Sequence, residues 1–120
     1  MTDKELIELA AKAAGIGELV WGEVWNVGGD LVDCSDMPYI RSQQPDEGDC
    51  YWNPLTDDGD ALRLAVKLNI DVEVFRDKTS TWVVIGCGYF ETEEEHNGDS
   101  YAATRRAIVR AAAEIGKAST

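Results

Sequence analysis

The side chains in this sequence that could do chemistry are a single histidine, three cysteines, a set of arginines near the C-terminal end and a large excess of carboxylates. Nucleophilic catalysis by a serine or cysteine needs a base within reach, commonly histidine. His96 is the one histidine available. Its sequence neighbours are mostly carboxylates (Glu93 to Asp99), so a solvated loop histidine is expected rather than a general base. Cys34, Cys50, Cys87 and His96 are the right ligand types for zinc, but no C-x-x-C or H-x-x-x-H pairing supports that use. An odd number of cysteines without regular spacing is not a disulfide framework either. Cys87, between Gly86 and Gly88, reads as a small buried hydrophobe, and a Cys34–Cys50 bridge is not expected in a reducing cytosol.

The carboxylates invite metal readings that their spacing does not sustain. Asp57-Asp58-Gly59-Asp60 lacks the alternating ligand spacing and the closing Glu of a calcium loop, and acids at a helix start explain it. Magnesium on Asp46, Glu47 and Asp49 would call for a phosphate substrate. Gly28-Gly29 and Gly86-x-Gly88 match neither a P-loop nor a dinucleotide fingerprint. Glycoside chemistry needs two particular carboxyl groups, and nothing here selects a pair. Arg105, Arg106 and Arg110 could hold a phosphate or nucleotide, although such a stripe is more often a solvated face paired to neighbouring acids. No catalytic residue, metal site or cofactor is assigned, and an enzyme is not expected.

What stands out instead is where the charge lies. The net formal charge is −12, and the excess acid falls in two stretches. Asp30, Asp33, Asp36, Asp46, Glu47, Asp49, Asp57, Asp58 and Asp60 face a single Arg41. Glu91, Glu93, Glu94, Glu95 and Asp99 face no basic residue. Such a surface repels nucleic acid and anionic membranes and attracts basic proteins. Tyr51-Trp52 lies beside the first stretch, and an aromatic next to acids is what a patch for a basic partner contains. Trp25 and Trp82 sit in strand-like segments and are expected in the core; Trp21 fits core or edge.

The elements that must position these residues are those of one domain of 120 residues. No apolar run reaches the length of a membrane span, and the polar, acidic N-terminus does not resemble a signal peptide, so a cytosolic protein is expected. Thr2-Asp3-Lys4-Glu5 has capping-box spacing, and Leu6, Leu9, Ala10 and Ala13 continue a helix over residues 3–14 that Gly15 stops. Residues 19–25 predict a strand, returned through Gly28-Gly29-Asp30 to a short strand at Leu31-Val32. Residues 35–53 show no periodicity and read as a long acidic loop. Thr56 is expected to cap a second helix, with Ala61, Leu62, Ala65, Val66 and Leu68 as its apolar stripe and Asn69 as its end. Residues 71–76 and Trp82-Val83-Val84-Ile85 predict a β-hairpin whose second strand is covered on both faces. Residues 91–98 read as a second acidic loop. Asp99 or Ser100 then caps a last helix to Ile115, stopped by Gly116, with Tyr101, Thr104, Ile108, Ala111, Ala112 and Ile115 on one side. The order α-β-(β)-α-β-β-α predicts an α+β fold, a small antiparallel or mixed sheet flanked by three helices.

Three segments resemble small proteins of tailed phages and prophages, the phage ABA sandwich group. They are Met1-Thr2-Asp3-Lys4-Glu5-Leu6 leading to Ala10-Ala11-Lys12-Ala13-Ala14-Gly15-Ile16, then Trp52-Asn53-Pro54-Leu55-Thr56-Asp57-Asp58-Gly59-Asp60-Ala61, then Ala103-Thr104-Arg105-Arg106-Ala107-Ile108 onward. The second is the most specific. The stretch from Trp21 to Tyr51 departs from the group. The resemblance implies a phage origin and helices flanking a central sheet, and it implies no activity.

Charge and resemblance together point to a non-enzymatic phage accessory protein. Its acidic surface is expected to bind, and by occupation to inhibit, a basic nucleic-acid-binding host protein or nucleoprotein complex: a CRISPR effector, restriction enzyme, transcription or replication factor. Asp46, Glu47, Asp49, Trp52, Glu93, Glu94 and Glu95 are the expected contacts. Direct nucleic-acid or membrane binding is not expected, and the oligomeric state is left open. The alternatives are a nucleotide second-messenger sponge using Arg105, Arg106 or Arg110 with a stacking aromatic, and a phage protein of no defined chemistry.

Overall fold

Helix boundaries follow local rules. The computed structural model describes residues 1–16, 18–41, 48–75, 79–85 and 90–118. Helix α1 spans Asp3–Ala13, and the Glu5 N–H donates to Thr2 Oγ1 at 3.2 Å, the expected cap. Gly15 takes φ 72°, which lets Ile16 N–H reach Ala11 O at 3.0 Å and Gly15 N–H reach Lys12 O at 3.1 Å. These two hydrogen bonds satisfy carbonyls that the helix end would otherwise strand. Helix α2 (Asp58–Lys67) ends the same way on Asn69 at φ 54°, with Ile70 N–H on Ala65 O at 2.9 Å.

The start of α2 differs from expectation. Asn53 O accepts from Thr56 N–H and Asp57 N–H, so Thr56 is consumed in a turn and Asp57 becomes the cap, accepting from Asp60 N–H at 2.9 Å. The stripe of α2 is also narrower than expected. Ala61, Leu64 and Ala65 are buried, with Leu68 beside them, an i, i+3, i+4, i+7 set facing α3. Leu62 and Val66 fall outside that set and are 64% and 70% exposed.

Helix α3 spans Ser100–Ala118, capped by Asp99 Oδ1, which accepts from Ala102 N–H at 3.0 Å. It runs through Gly116 instead of stopping there. Ala10, Ala11 and Ala14 of α1 and its C-cap meet the buried Ala107, Ala111 and Ala112 of α3 in the core. At Gly116 the helices come so close that a Cβ would collide with the backbone of Leu9. The glycine is there for the close approach, which sequence alone reads as a stop signal. Tyr101, expected on the packed side, is exposed.

Among the described residues the strands form three antiparallel sheets. The chain over residues 19–25 is two strands, β1 (Leu19–Val20) and β2 (Glu23–Trp25), broken at Gly22 with φ 94°. The hairpin β2–β3 (Leu31–Asp33) forms as expected. The expected long loop contains β4 (Tyr39–Ile40) and β5 (Cys50–Tyr51), which join β1 in the order β1-β4-β5. The largest sheet is a meander of β6 (Asp71–Phe75), β7 (Ser80–Ile85) and β8 (Phe90–Glu95). The fold is α+β, and β8 occupies most of what reads as the second acidic loop. Arg76, Asp77, Lys78, Gly86, Cys87 and Gly88 lie outside the described residues.

Helix α3 covers one face of this meander, mainly over β7 and β8. Thr81 and Val83 of β7 are fully buried beneath it. The neighbouring Trp82 is half-buried on the opposite face. The central strand is therefore covered on one face, not both: its apolar run is split by the two-residue alternation of a strand. No described helix is long and apolar enough to cross a membrane.

Candidate functional site

The open face of the β6–β7–β8 meander is set by its register. Asp71 pairs across with Val84 and then Glu91; Glu73 with Trp82 and then Glu93; Phe75 with Ser80 and then Glu95. Alternation sends Asp71, Glu73, Trp82, Glu91, Glu93 and Glu95 to the same side. All five carboxylates are exposed, and Trp82 is half-buried between Glu73 and Glu93. Side chains directly opposite on neighbouring strands have Cβ atoms about 5 Å apart. The indole is thus flanked by an acid on each side. Ser80 Oγ donates to Glu93 Oε1 at 2.6 Å, fixing one of these acids without neutralising it. The described residues of the three strands include no lysine or arginine. The face can attract and stack on a cationic group.

Strand geometry divides the Glu93-Glu94-Glu95 triplet. Glu93 and Glu95 project outward. Glu94 turns under the sheet to α3, where Arg110 Nη1 lies at 3.0 Å and Arg106 Nε at 3.6 Å. It clamps β8 to the helix, so unlike Glu93 and Glu95 it is already neutralised within the chain.

Four acids of the first stretch, Asp49, Asp57, Asp58 and Asp60, are used internally, while Asp30, Asp33 and Asp36 are exposed. The Asp49 side chain is 0% exposed; Oδ2 accepts from Trp25 N–H at 2.9 Å and meets Arg41 Nη2 at 3.2 Å. It ties the return of the chain to β2, so it cannot contact a partner. Trp52 is only 7% exposed and belongs to the hydrophobic core. Burying its large ring stabilises the fold more than a place beside the acids would, since an indole removes so much apolar area from water. Asp46 and Glu47 lie outside the described residues. Asp57 caps α2, Asp58 pairs with Arg105, and buried Asp60 accepts from Asn53 N–H at 3.0 Å and from Arg63 Nη2 at 2.8 Å. The Asp60 hydrogen bond is the main reason the Arg63 guanidinium is held above its ordinary pKa.

Arg105, Arg106 and Arg110 are each engaged by an acid of the chain, Arg106 and Arg110 sharing Glu94. Arg105 Nε donates to Leu55 O at 2.8 Å and its Nη1 to Asp58 Oδ1 at 2.6 Å. Arg106 reaches Asp3 at 3.0 Å, and Arg110 reaches Glu94. They fasten α3 to α2, α1 and β8 in turn, so the three do not form a common anion pocket. His96 also differs from a solvated loop residue. Its Nε2 lies 2.9 Å from Thr81 Oγ1, which is 2.8 Å from Thr104 Oγ1, a chain linking the end of β8 to β7 and α3. Cys34 and Cys50 are free thiols. Among the described residues, no group of three His, Cys, Asp or Glu side chains is placed to hold a metal ion.

Asp71, Glu73, Trp82 and Glu91 are the residues of this face that the sequence reading did not select. A period-two signal was present, with Asp71 and Glu73 alternating with Val72 and Val74. In β8 it was hidden because glutamates fill both faces and have low strand propensity. Comparison of the chain with protein-family models, curated proteins and solved structures returns no match.

Proposed function

We propose that this chain is a non-enzymatic phage or prophage accessory protein that binds a basic, nucleic-acid-binding host protein in the host cytosol through the acidic face around Trp82. It inhibits that protein by occupying a groove shaped for phosphates. The observation that carries this reading is the five exposed carboxylates arranged in register around one half-buried indole. Glu91, Glu93 and Glu95 stand at two-residue intervals, about 7 Å apart along the strand. They repel one another, and a cationic surface relieves that repulsion while the indole supplies a stacking platform for Arg or Lys. The net charge of −12 extends the attraction to long range. The phage origin is inferred from the three resembling segments. The nucleotide-sponge alternative is disfavoured because Arg105, Arg106 and Arg110 are each engaged by carboxylates of the chain itself.

The test is retention of host proteins on immobilised chain across a salt gradient, compared with an E73K/E93K variant. A DNA- or RNA-binding complex should be held by the native chain, elute at moderate salt and be lost on the variant. Equal retention on both would overturn the assignment of this face.

A further inference from the structure

Strand β6 is the outermost strand of the meander, and no described strand pairs along its outer edge. Its two faces differ in chemistry. On the open side stand Asp71 and Glu73. On the helix side stand Val72 and Val74, 39% and 49% exposed because α3 lies over β7 and β8 and reaches β6 little. The gap is a groove of about 700 Å³, walled by Leu62 and Ala65 of α2 and by Ile108 and Tyr101 of α3. Leu62 and Tyr101, otherwise misplaced apolar side chains on the surface, both line it.

An open strand edge offers a row of unpaired backbone donors and acceptors. A chain segment added there continues the pleat, so its side chains alternate between the sheet faces. Those opposite Val72 and Val74 would enter the apolar groove. Those opposite Asp71 and Glu73 would lie on the acidic face directly beside these two carboxylates, with Trp82 one strand further in. We propose that β6 takes up an extended segment of the basic partner protein as a fourth strand, one in which aliphatic residues alternate with lysine or arginine. This rests on the acidic face being the partner surface and specifies how the partner engages it.

Charge decides among occupants. A second copy of this chain, paired antiparallel through β6 about a two-fold axis normal to the sheet, would set the Asp71 and Glu73 rows against each other, and facing like charges destabilise a strand pair. A small apolar ligand would fill the groove but leave both the edge and the carboxylates unanswered. A segment alternating aliphatic and basic residues satisfies all three.

The experiment is fluorescence anisotropy with a short labelled peptide of alternating Leu and Lys, against an isomer of the same composition with its Leu and Lys in separate blocks. The native chain is compared with L62E and E73K, both at exposed positions and both checked for folding by circular dichroism. The alternating peptide should bind about tenfold more tightly than the block isomer, L62E should remove that preference, and amide exchange in β6 should slow on binding. E73K should weaken both peptides. Equal binding of the two peptides, lost in E73K but untouched by L62E, would overturn strand addition and leave the acidic face standing. Binding indifferent to E73K would overturn the acidic face itself. A dimer abolished by L62E, or an uncharged apolar dye that the alternating peptide does not displace, would assign the groove to a second copy or a small ligand and overturn the proposal.

Discussion

The two acid-rich stretches of this chain have similar composition but differ in how their central acids are used. In the first, Asp49, Asp57, Asp58 and Asp60 each meet a backbone N–H or an arginine of the chain, and they hold loops, a helix start and an interhelical tie in place. In the second, Glu91, Glu93 and Glu95 project from a strand, while Glu94 ties β8 to α3 and Asp99 caps α3. Acid density is therefore no guide to acid availability. Backbone geometry separates the two: irregular chain can wrap a carboxylate in N–H donors, whereas a strand commits its N–H groups to the ladder and presents its side chains outward.

This contrast can be broken most forcefully at Asp49. Replacing it with Lys buries a cation against the backbone N–H of Trp25 and repels Arg41. A loss of about 3–5 kcal/mol is expected in denaturant unfolding, enough to unfold a marginal domain. A change within the range of a surface substitution would mean that the first stretch is no more structural than the second. At Asp60, truncation to Ala strands the Asn53 N–H and frees Arg63. The expected cost is about 1–3 kcal/mol, read as a lower urea midpoint at unchanged m-value. Smallest in stability is the triple variant E91Q/E93Q/E95Q, expected within about 0.5 kcal/mol of the native chain at moderate salt. Its informative readout is the salt dependence. Added salt should stabilise the native chain by screening the face, and the triple variant should lose much of that response. An equal salt response in both would remove the repulsion on which the binding reading depends.

Much of the helical framework was legible in residues and spacings. Thr2 and Glu5, Gly15, Asn69 and Asp99 mark helix ends through interactions within one or two turns, so the local chain suffices to read them. Glycine at 116 was legible as a residue but not as a role, because the collision it avoids is with Leu9, far away in sequence. The candidate site was legible only in part. Glu93 and Glu95 were identified, but in a loop. Trp52 and Asp49 were chosen for their composition and proved to be interior. Trp82 was assigned to the core because an apolar run in a strand does not reveal which sheet face lacks a helix.

By itself, then, the sequence determined the α+β class, the three helices and most of their ends, the β2–β3 and β6–β7 hairpins and the strong negative charge. These depend on propensities, caps and turn residues that act over a few positions. Only the tertiary structure decided which acids are spent and which are free, that Leu62 and Val66 fall outside the buried stripe of α2, and that β6 has no described strand along its outer edge, with an apolar groove on one side and carboxylates on the other. Those outcomes depend on where α3 lies across the meander, and that placement is set by the close fit of alanines and Gly116 between α1 and α3. Packing between segments a hundred residues apart carries no local signature, because it is a property of surfaces that exist only once the helices have formed.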